Sequence, residues 1–232
     1  IVKWTGNGAA LVDNTYQSVP TALSGKLSFA IQKRTNITGN WHTYHKNCSV
    51  ANTYWSAHTY LNSTYSEQIG SGYDSQVFKY THSNGLCEFQ NGDLNNVSGS
   101  EYISYFFEEV EGYSKFGSYS AGDTFVQTNF KPAWLLVKQA VGGTFNAYSS
   151  WTIIDNARDS FNVCNTPLFA NLSKKEAERA GDSNSIGNNA DIDFLSNGFK
   201  VFDRYSGETS TPNATYIYMA FAEQPFKFSN AR

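Results

Sequence analysis

The segment Ser100–Tyr113, SEYISYFFEEVEGY, returns in altered form at Ala214–Phe226, ATYIYMAFAEQPF, and this echo limits the folds open to the chain more than any single motif. Each copy begins with an aromatic-rich run led by Tyr-Ile. Upstream of each lies the tripeptide Ser-Asn-Gly, at Ser83–Gly85 and Ser196–Gly198, followed by the alternating segments Leu86–Gln90 and Phe199–Asp203. Further upstream, Trp41–Tyr44 aligns with Trp151–Ile154, and Leu27–Lys33 with Trp134–Lys138. The matched positions lie about 110 residues apart, too far for a solenoid repeat and suited to two domains. The expectation is a tandem duplication, residues 1–115 and 116–232, in which Trp41 takes the place of Trp151 and Tyr102 that of Tyr216.

Within each copy the dominant period is two. Val2–Thr5, Leu27–Arg34, Trp41–Lys46, Gln76–Tyr80, Leu86–Gln90 and Tyr102–Glu109 alternate or run apolar over short spans, which predicts strands. The second copy repeats this at Thr124–Phe130, Trp134–Lys138, Trp151–Asp155, Leu168–Asn171, Asp191–Leu195, Phe199–Asp203 and Tyr216–Phe221. Glu111–Tyr119 reads as an aromatic-studded junction, unlike the apolar-poor composition of a flexible linker. One helical signal occurs: Ser173-x-x-Glu176 forms a capping box ahead of Ala177–Ala180, enough for two turns. Short strands with so little helix predict an all-β chain of two antiparallel β-sandwich, jelly-roll-like domains. Ile103, Phe107, Ile217 and Phe221 are the expected core of the two Tyr-Ile strands.

Charge sets the surface. Charged residues make up 16% of the 232, against roughly 25% in an ordinary globular protein, while Tyr and Phe number 15 and 17. Polar surface must therefore come from Ser, Thr, Asn and Gly, and the aromatics fit a pleated, half-buried surface. A net charge of −3 provides no basic stripe for nucleic acid, and no apolar run reaches the length of a membrane span. The chain starts at Ile1 without Met, inside an alternating segment, and reads as the start of a fragment. Three cysteines without Cys-x-x-Cys spacing predict buried thiols rather than disulfides.

Groups able to do chemistry are scattered. Glu109 and Glu111 share one face of a strand end, but the second copy offers only Glu223 there, so a glycosidase carboxylate pair is not indicated. Asp191 and Asp193 share a face without the further oxygen ligands of a cation loop. His42 and His45 fall on opposite faces of a strand, and no histidine pair has metal-ligand spacing. No Gly-x-Ser-x-Gly elbow and no dinucleotide fingerprint occur. The expectation is no catalytic residue, no metal site and no cofactor. Candidate binding residues are Tyr54, Trp55, Tyr60 and Tyr65, set among Ser and Asn in the long excursion Ser49–Tyr73. Such a mixture serves glycan contact or a subunit interface, because rigid rings offer area at low entropic cost.

Lys3–Gly8, Trp41…Tyr44-His45, Tyr113–Tyr119, Asp193–Lys200 and Tyr216–Arg232 together resemble a repeat domain of unknown function found in structural and tail-fibre proteins of tailed marine and environmental phages, often following a laminin-G or concanavalin-like domain. The resemblance covers essentially the whole chain. It implies a non-enzymatic virion component made in the bacterial cytoplasm, part of a tail fibre, tailspike or capsid surface, with attachment to host-surface glycan as one role. The partners it implies are further copies of the chain, in a trimer or larger symmetric assembly, and other virion proteins. A bacterial surface or filament-forming β protein, or a polysaccharide depolymerase with its catalytic site at an interface or in a preceding segment, are the alternatives. The Ser49–Tyr73 excursion is longer and more aromatic than the family pattern.

Overall fold

A computed structural model describes residues 1–9, 16–49, 57–68, 79–81, 85–89, 95–144, 149–176, 178–179, 182–186, 190–203 and 208–224. Two compact units divide the chain, the first comprising Ile1–Leu61 and Glu67–Glu109, the second Asn62–Ser66 and Val110–Arg232. The described residues contain no α-helix and pair throughout as antiparallel sheets.

The first unit contains β1 (Val2–Thr5), β2 (Gln17–Pro20), β3 (Leu27–Arg34), β4 (Trp41–His45), β5 (Thr59–Tyr60), β6 (Lys79–Thr81), β7 (Leu86–Phe89) and β8 (Glu101–Glu108). They form a five-stranded sheet in the order β1-β8-β3-β4-β5 and a three-stranded sheet in the order β2-β7-β6. The second unit contains β9 (Ser114–Ser120), β10 (Thr124–Gln127), β11 (Pro132–Gly142), β12 (Thr152–Asp155), β13 (Leu168–Phe169), β14 (Glu178–Arg179), β15 (Asp182–Ile186), β16 (Ile192–Leu195), β17 (Gly198–Val201) and β18 (Ala214–Ala222). Its sheets run β9-β18-β11-β12-β13 and β10-β17-β16, with β14-β15 as a separate hairpin. Strand for strand, the two orders coincide. In each unit the first strand pairs with the last and the second with the next to last, the nesting that wraps a jelly roll, while the third to fifth strands continue as a meander.

The ladders set equivalent residues. Lys33 faces Trp41 and Ile103, and Lys138 faces Ile217 and, one step beyond the Val137–Thr152 pair, Trp151. Arg34 faces Tyr102 as Gln139 faces Tyr216. Each of these tyrosines is buried, and its hydroxyl accepts a backbone N–H from five residues upstream, Val97 at 3.0 Å and Thr211 at 2.8 Å. The turn before each strand needs a left-handed residue, Gly99 (φ 74°) in one unit and Asn213 (φ 61°) in the other, residue types that tolerate this region.

In the second unit the core lies between the two sheets. Val126, Phe194, Phe199 and Val201 from the small sheet meet Leu135, Val137, Ile154, Tyr216 and Tyr218 from the large one. The first unit packs Val19, Cys87 and Phe89 against Leu27, Ala30, Tyr44 and Phe106, with Trp4 stacked on Phe89 and Tyr102 at ring separations of 4.7 and 4.4 Å.

Four expectations are corrected. Of the residues expected to fill the Tyr-Ile strands' core, Ile217 is buried but Ile103, Phe107 and Phe221 are only half-buried; Tyr102, Phe106, Tyr216 and Tyr218 face inward instead. Bonded hydroxyls let the tyrosine rings enter. The capping box after Ser173 starts no helix. Glu178–Arg179 pairs with Asp182–Ile186 as a bulged hairpin, and the Glu176 carboxylate lies 3.5 Å from Arg158 rather than closing the box. A helix that short cannot repay its nucleation cost. The Glu111–Tyr119 junction is mostly β9, whose Phe116 and Tyr119 are buried, so the 115/116 division lies inside a strand. Finally, Ser83 and Asn84 of the first Ser-Asn-Gly tripeptide lie outside the described residues, and the ladder pairs that flank the two tripeptides differ in spacing. Ser196-Asn197 is a two-residue turn between the paired Leu195 and Gly198, whereas Thr81 and Leu86 enclose four residues. Gly198 is already in its strand, where a Cβ would lie 2.1 Å from the Val126 carbonyl oxygen.

Candidate recognition site

The β12–β13 connection, residues 156–167, has few ladder bonds to satisfy its backbone, and side chains do that work instead. The Arg158 guanidinium donates to Asp155 Oδ2 at 2.7 Å and to the Thr166 carbonyl at 2.6 Å. Asp159 Oδ2 accepts from Asn165 N at 2.8 Å, Thr166 N at 2.9 Å and Thr166 Oγ1 at 2.6 Å. The Asn162 amide grips the Phe194 backbone at both ends, 3.1 and 3.0 Å, as a strand neighbour would. Cys164 exchanges two backbone bonds with Ile192. The loop so tied carries Phe161 at its apex, 86% exposed.

Beside that ring opens a cleft of about 330 Å³, lined by Lys131, Asn156, Asp159, Ser160, Phe161 and Asn162, with Cys164, Phe194 and Glu223 completing it. Lys131 and Glu223 form an ion pair of 2.9 Å, and Asn156 Nδ2 donates to Glu223 Oε1 at 2.9 Å. An aromatic face, amides, a hydroxyl and a compensated ion pair converge here. Such a surface suits a polar ligand with apolar C–H faces better than a chemical reaction. A second cleft, about 460 Å³, lies in the first unit along Lys3, Trp4, Thr5, Thr35, Glu101 and Tyr102. Its aromatic area is already committed, since Trp4 is stacked between Phe89 and Tyr102 and donates to Ser104 Oγ at 2.9 Å.

A family model described as a domain of unknown function, DUF7483, matches residues 1–225, and so spans both units. The chain belongs to the DUF7483 family. No curated protein and no solved structure shows a significant match to it.

In this DUF7483 chain the residues singled out from sequence fall in different settings. Tyr54 and Trp55 lie outside the described residues. Tyr60, half-buried on β5, packs edge-on against His42 and His58 at 5.0 and 5.1 Å. Tyr65 is 64% exposed, in the short segment that belongs to the second unit. Glu109 pairs with Lys46 at 2.6 Å, while Glu108 takes Ser24 Oγ and the Gly25 N–H. Asp191 is buried and Asp193 half-buried at β16, and no group of three or more metal-ligating side chains occurs among the described residues. Among the described residues there is no helix long and apolar enough to cross a membrane, a statement that leaves β-barrels aside.

Sequence reading missed Phe161 and its cleft. The signal was present in the alignment of the copies: Phe161 lies between the fourth and fifth strands of its unit, where Tyr54 and Trp55 lie in the other. Composition drew attention to the more aromatic of two equivalent loops.

The strongly shifted ionisable groups have structural causes. Burial pushes the Lys138 ammonium down to about 7, and it donates to the Ser149 and Thr64 carbonyls at 2.5 and 3.0 Å. Burial, with the charges of His58 and Lys33 adding, pushes the His42 imidazole down to about 3. Cys48, Cys87 and Cys164 are free and buried, and burial raises all three thiols, Cys164 to about 11.

Proposed function

We propose that this chain is a non-enzymatic structural component of a tailed-phage particle, in a tail fibre, tailspike or capsid surface, contributing to host-surface attachment. The observation that carries this reading is the shared strand order of the two units, each with a long connection between its fourth and fifth strands. A frame used twice, with chemistry-capable groups tied into the fold, serves display rather than turnover. In this reading the units are two copies of one β module, and the chain works as a trimer or larger symmetric assembly. Low charge and exposed Tyr65, Tyr113, Phe125 and Phe161 favour association, because interfaces are rich in aromatics and poor in Lys and Glu.

Mass spectrometry and immunogold labelling of purified particles test the placement. Labelling at a fixed site on the virion is expected; recovery only with the surface of particle-free cells would replace this reading with the bacterial-surface one. Sedimentation at micromolar concentration tests the assembly, and a clean monomer would remove it. One observation favours the depolymerase reading: Asp159 and Glu223 line the same cleft. Both act as acceptors for neighbouring donors. Release of reducing ends from host polysaccharide is the measurement that would establish that activity.

A further inference from the structure

We propose that the cleft beside Phe161 is a binding site for a neutral or N-acetylated oligosaccharide, with Phe161 as the platform for one pyranose face. The proposal stands on the cleft and holds whether or not the chain is a virion component.

Rigidity is the first argument. This loop is tied by its own side chains, the Asp159 carboxylate accepting from Asn165 N, Thr166 N and Thr166 Oγ1 and the Asn162 amide holding both backbone groups of Phe194 on β16. The product of that effort is a phenyl ring left 86% exposed. A ring held in place before binding loses little entropy when a ligand stacks on it.

Chemistry is the second. Sugar rings present axial C–H groups on one face and hydroxyls around the rim. Phe161 matches the face; Asn156 and Ser160 line the same cleft with groups able to answer hydroxyls or an acetamido group, while the Asn162 amide holds Phe194. Lys131 is matched by Glu223 and the Asp159 carboxylate is occupied by three neutral donors, so the lining has no net positive charge, which argues against an anionic ligand. The volume of about 330 Å³ lies near the low end of small-molecule sites, roughly 300–1,000 Å³, and suits a short saccharide rather than a folded protein surface.

The test is saturation-transfer difference NMR on the full chain with a panel of neutral and N-acetylated di- to tetrasaccharides. Saturation transfer to pyranose C–H protons is expected for at least one of them. Phe161→Ala should weaken that binding by about tenfold or more, as loss of the central aromatic of a small site does, with no change in melting temperature. Phe125→Ala, which removes another exposed ring of the same unit, should leave binding intact. No transfer from any saccharide, or transfer unchanged in Phe161→Ala, overturns the proposal. So does a sedimentation shift to a smaller species in Phe161→Ala, which would make the ring a subunit contact. Particle labelling is independent of all these outcomes, so failure here leaves the virion reading untouched.

Discussion

Each unit sets a lysine of its third strand against a tryptophan at the start of its fourth (Trp41) or one residue before it (Trp151), yet the two pairs live in different surroundings. Lys33 is half-buried, its ammonium 5.8 Å from the centroid of a Trp41 ring that is 36% exposed. Lys138 and Trp151 are almost wholly buried, and the Lys138 charge is met by carbonyls from Thr64 and Ser149, which lie outside the strands. Ladder position determines which residues face each other. What lies over them determines the dielectric they feel.

The inner faces differ in a second way. Across β8-β3-β4 run Phe106, Ala30 and Tyr44; across β18-β11-β12 run Ala220, Leu135 and Ile154. Bulk is moved between strands. One row along, Ser104, Gln32, His42 and Tyr60 stand where the second unit has Tyr218, Val137, Thr152 and Phe169. Trp4 fills the space beside Ser104 by donating to it, so a polar row is accommodated in the first unit by a larger ring on the edge strand. A fixed strand order therefore tolerates different packing when volume is kept, even though Gln32 Nε2 and Oε1, His42 Nδ1 and Thr152 Oγ1 are buried without a hydrogen-bond partner among the described residues.

The largest test of this equivalence is in the swapped row. Phe106→Ala should destabilise by roughly 3–5 kcal/mol in denaturant melts, and adding Ala30→Leu, which imports the second unit's solution, should recover at least about 1 kcal/mol. No recovery would mean that the rows do not exchange volume.

Acid should separate the units next. The His42 imidazole is held at about 3 when folded and titrates near 6.5 when unfolded, so below 6.5 the unfolded chain binds the extra proton. Stability is present above pH 6.5 and is lost as pH falls toward 3, by roughly 4 kcal/mol. Hydrogen exchange should show β3 and β4 losing protection on acidification before β11 and β12, where Thr152 replaces the histidine. Equal loss in both would remove His42 as the cause.

Lys138 gives a smaller effect at higher pH. With a folded value of about 7 against about 10.4 unfolded, the unfolded state holds more protons between them, so stability rises with pH. From pH 7 to 8 the Lys138 contribution should be roughly 1 kcal/mol, and Lys138→Met should remove it while leaving the smaller opposing contribution of the three buried thiols, which titrate near 8.5 only when unfolded.

Smallest are the strand-end pairs, Lys46 with Glu109 and Lys131 with Glu223, all partly exposed. Glu109→Gln and Glu223→Gln should each cost less than about 1 kcal/mol, falling with added salt. A larger loss in either would give that strand end a role beyond surface pairing.

The strands of the central sheets were legible because alternation is local. Leu27–Arg34 coincides with its expected span, and the Trp and Tyr-Ile matches fall on equivalent ladder positions. β2 was missed, since Gln17–Pro20 has one buried apolar residue and a proline, and β9 was hidden because its aromatics resembled a junction. In the candidate site, Asp159 and Asn162 read as ordinary loop polars. Their worth comes from backbone partners at Thr166 and Phe194, the latter a strand away.

The sequence by itself determined the all-β class and the burial of its cysteines, because these follow from side-chain periodicity and composition. Tertiary structure alone decided which face of each Tyr-Ile strand is innermost, that Lys138 is buried while Lys33 is not, and that Phe161 stands exposed on a tied loop. Those outcomes depend on residues distant in the chain closing over a site or leaving it open, and desolvation is a property of the enclosing volume rather than of the residue enclosed.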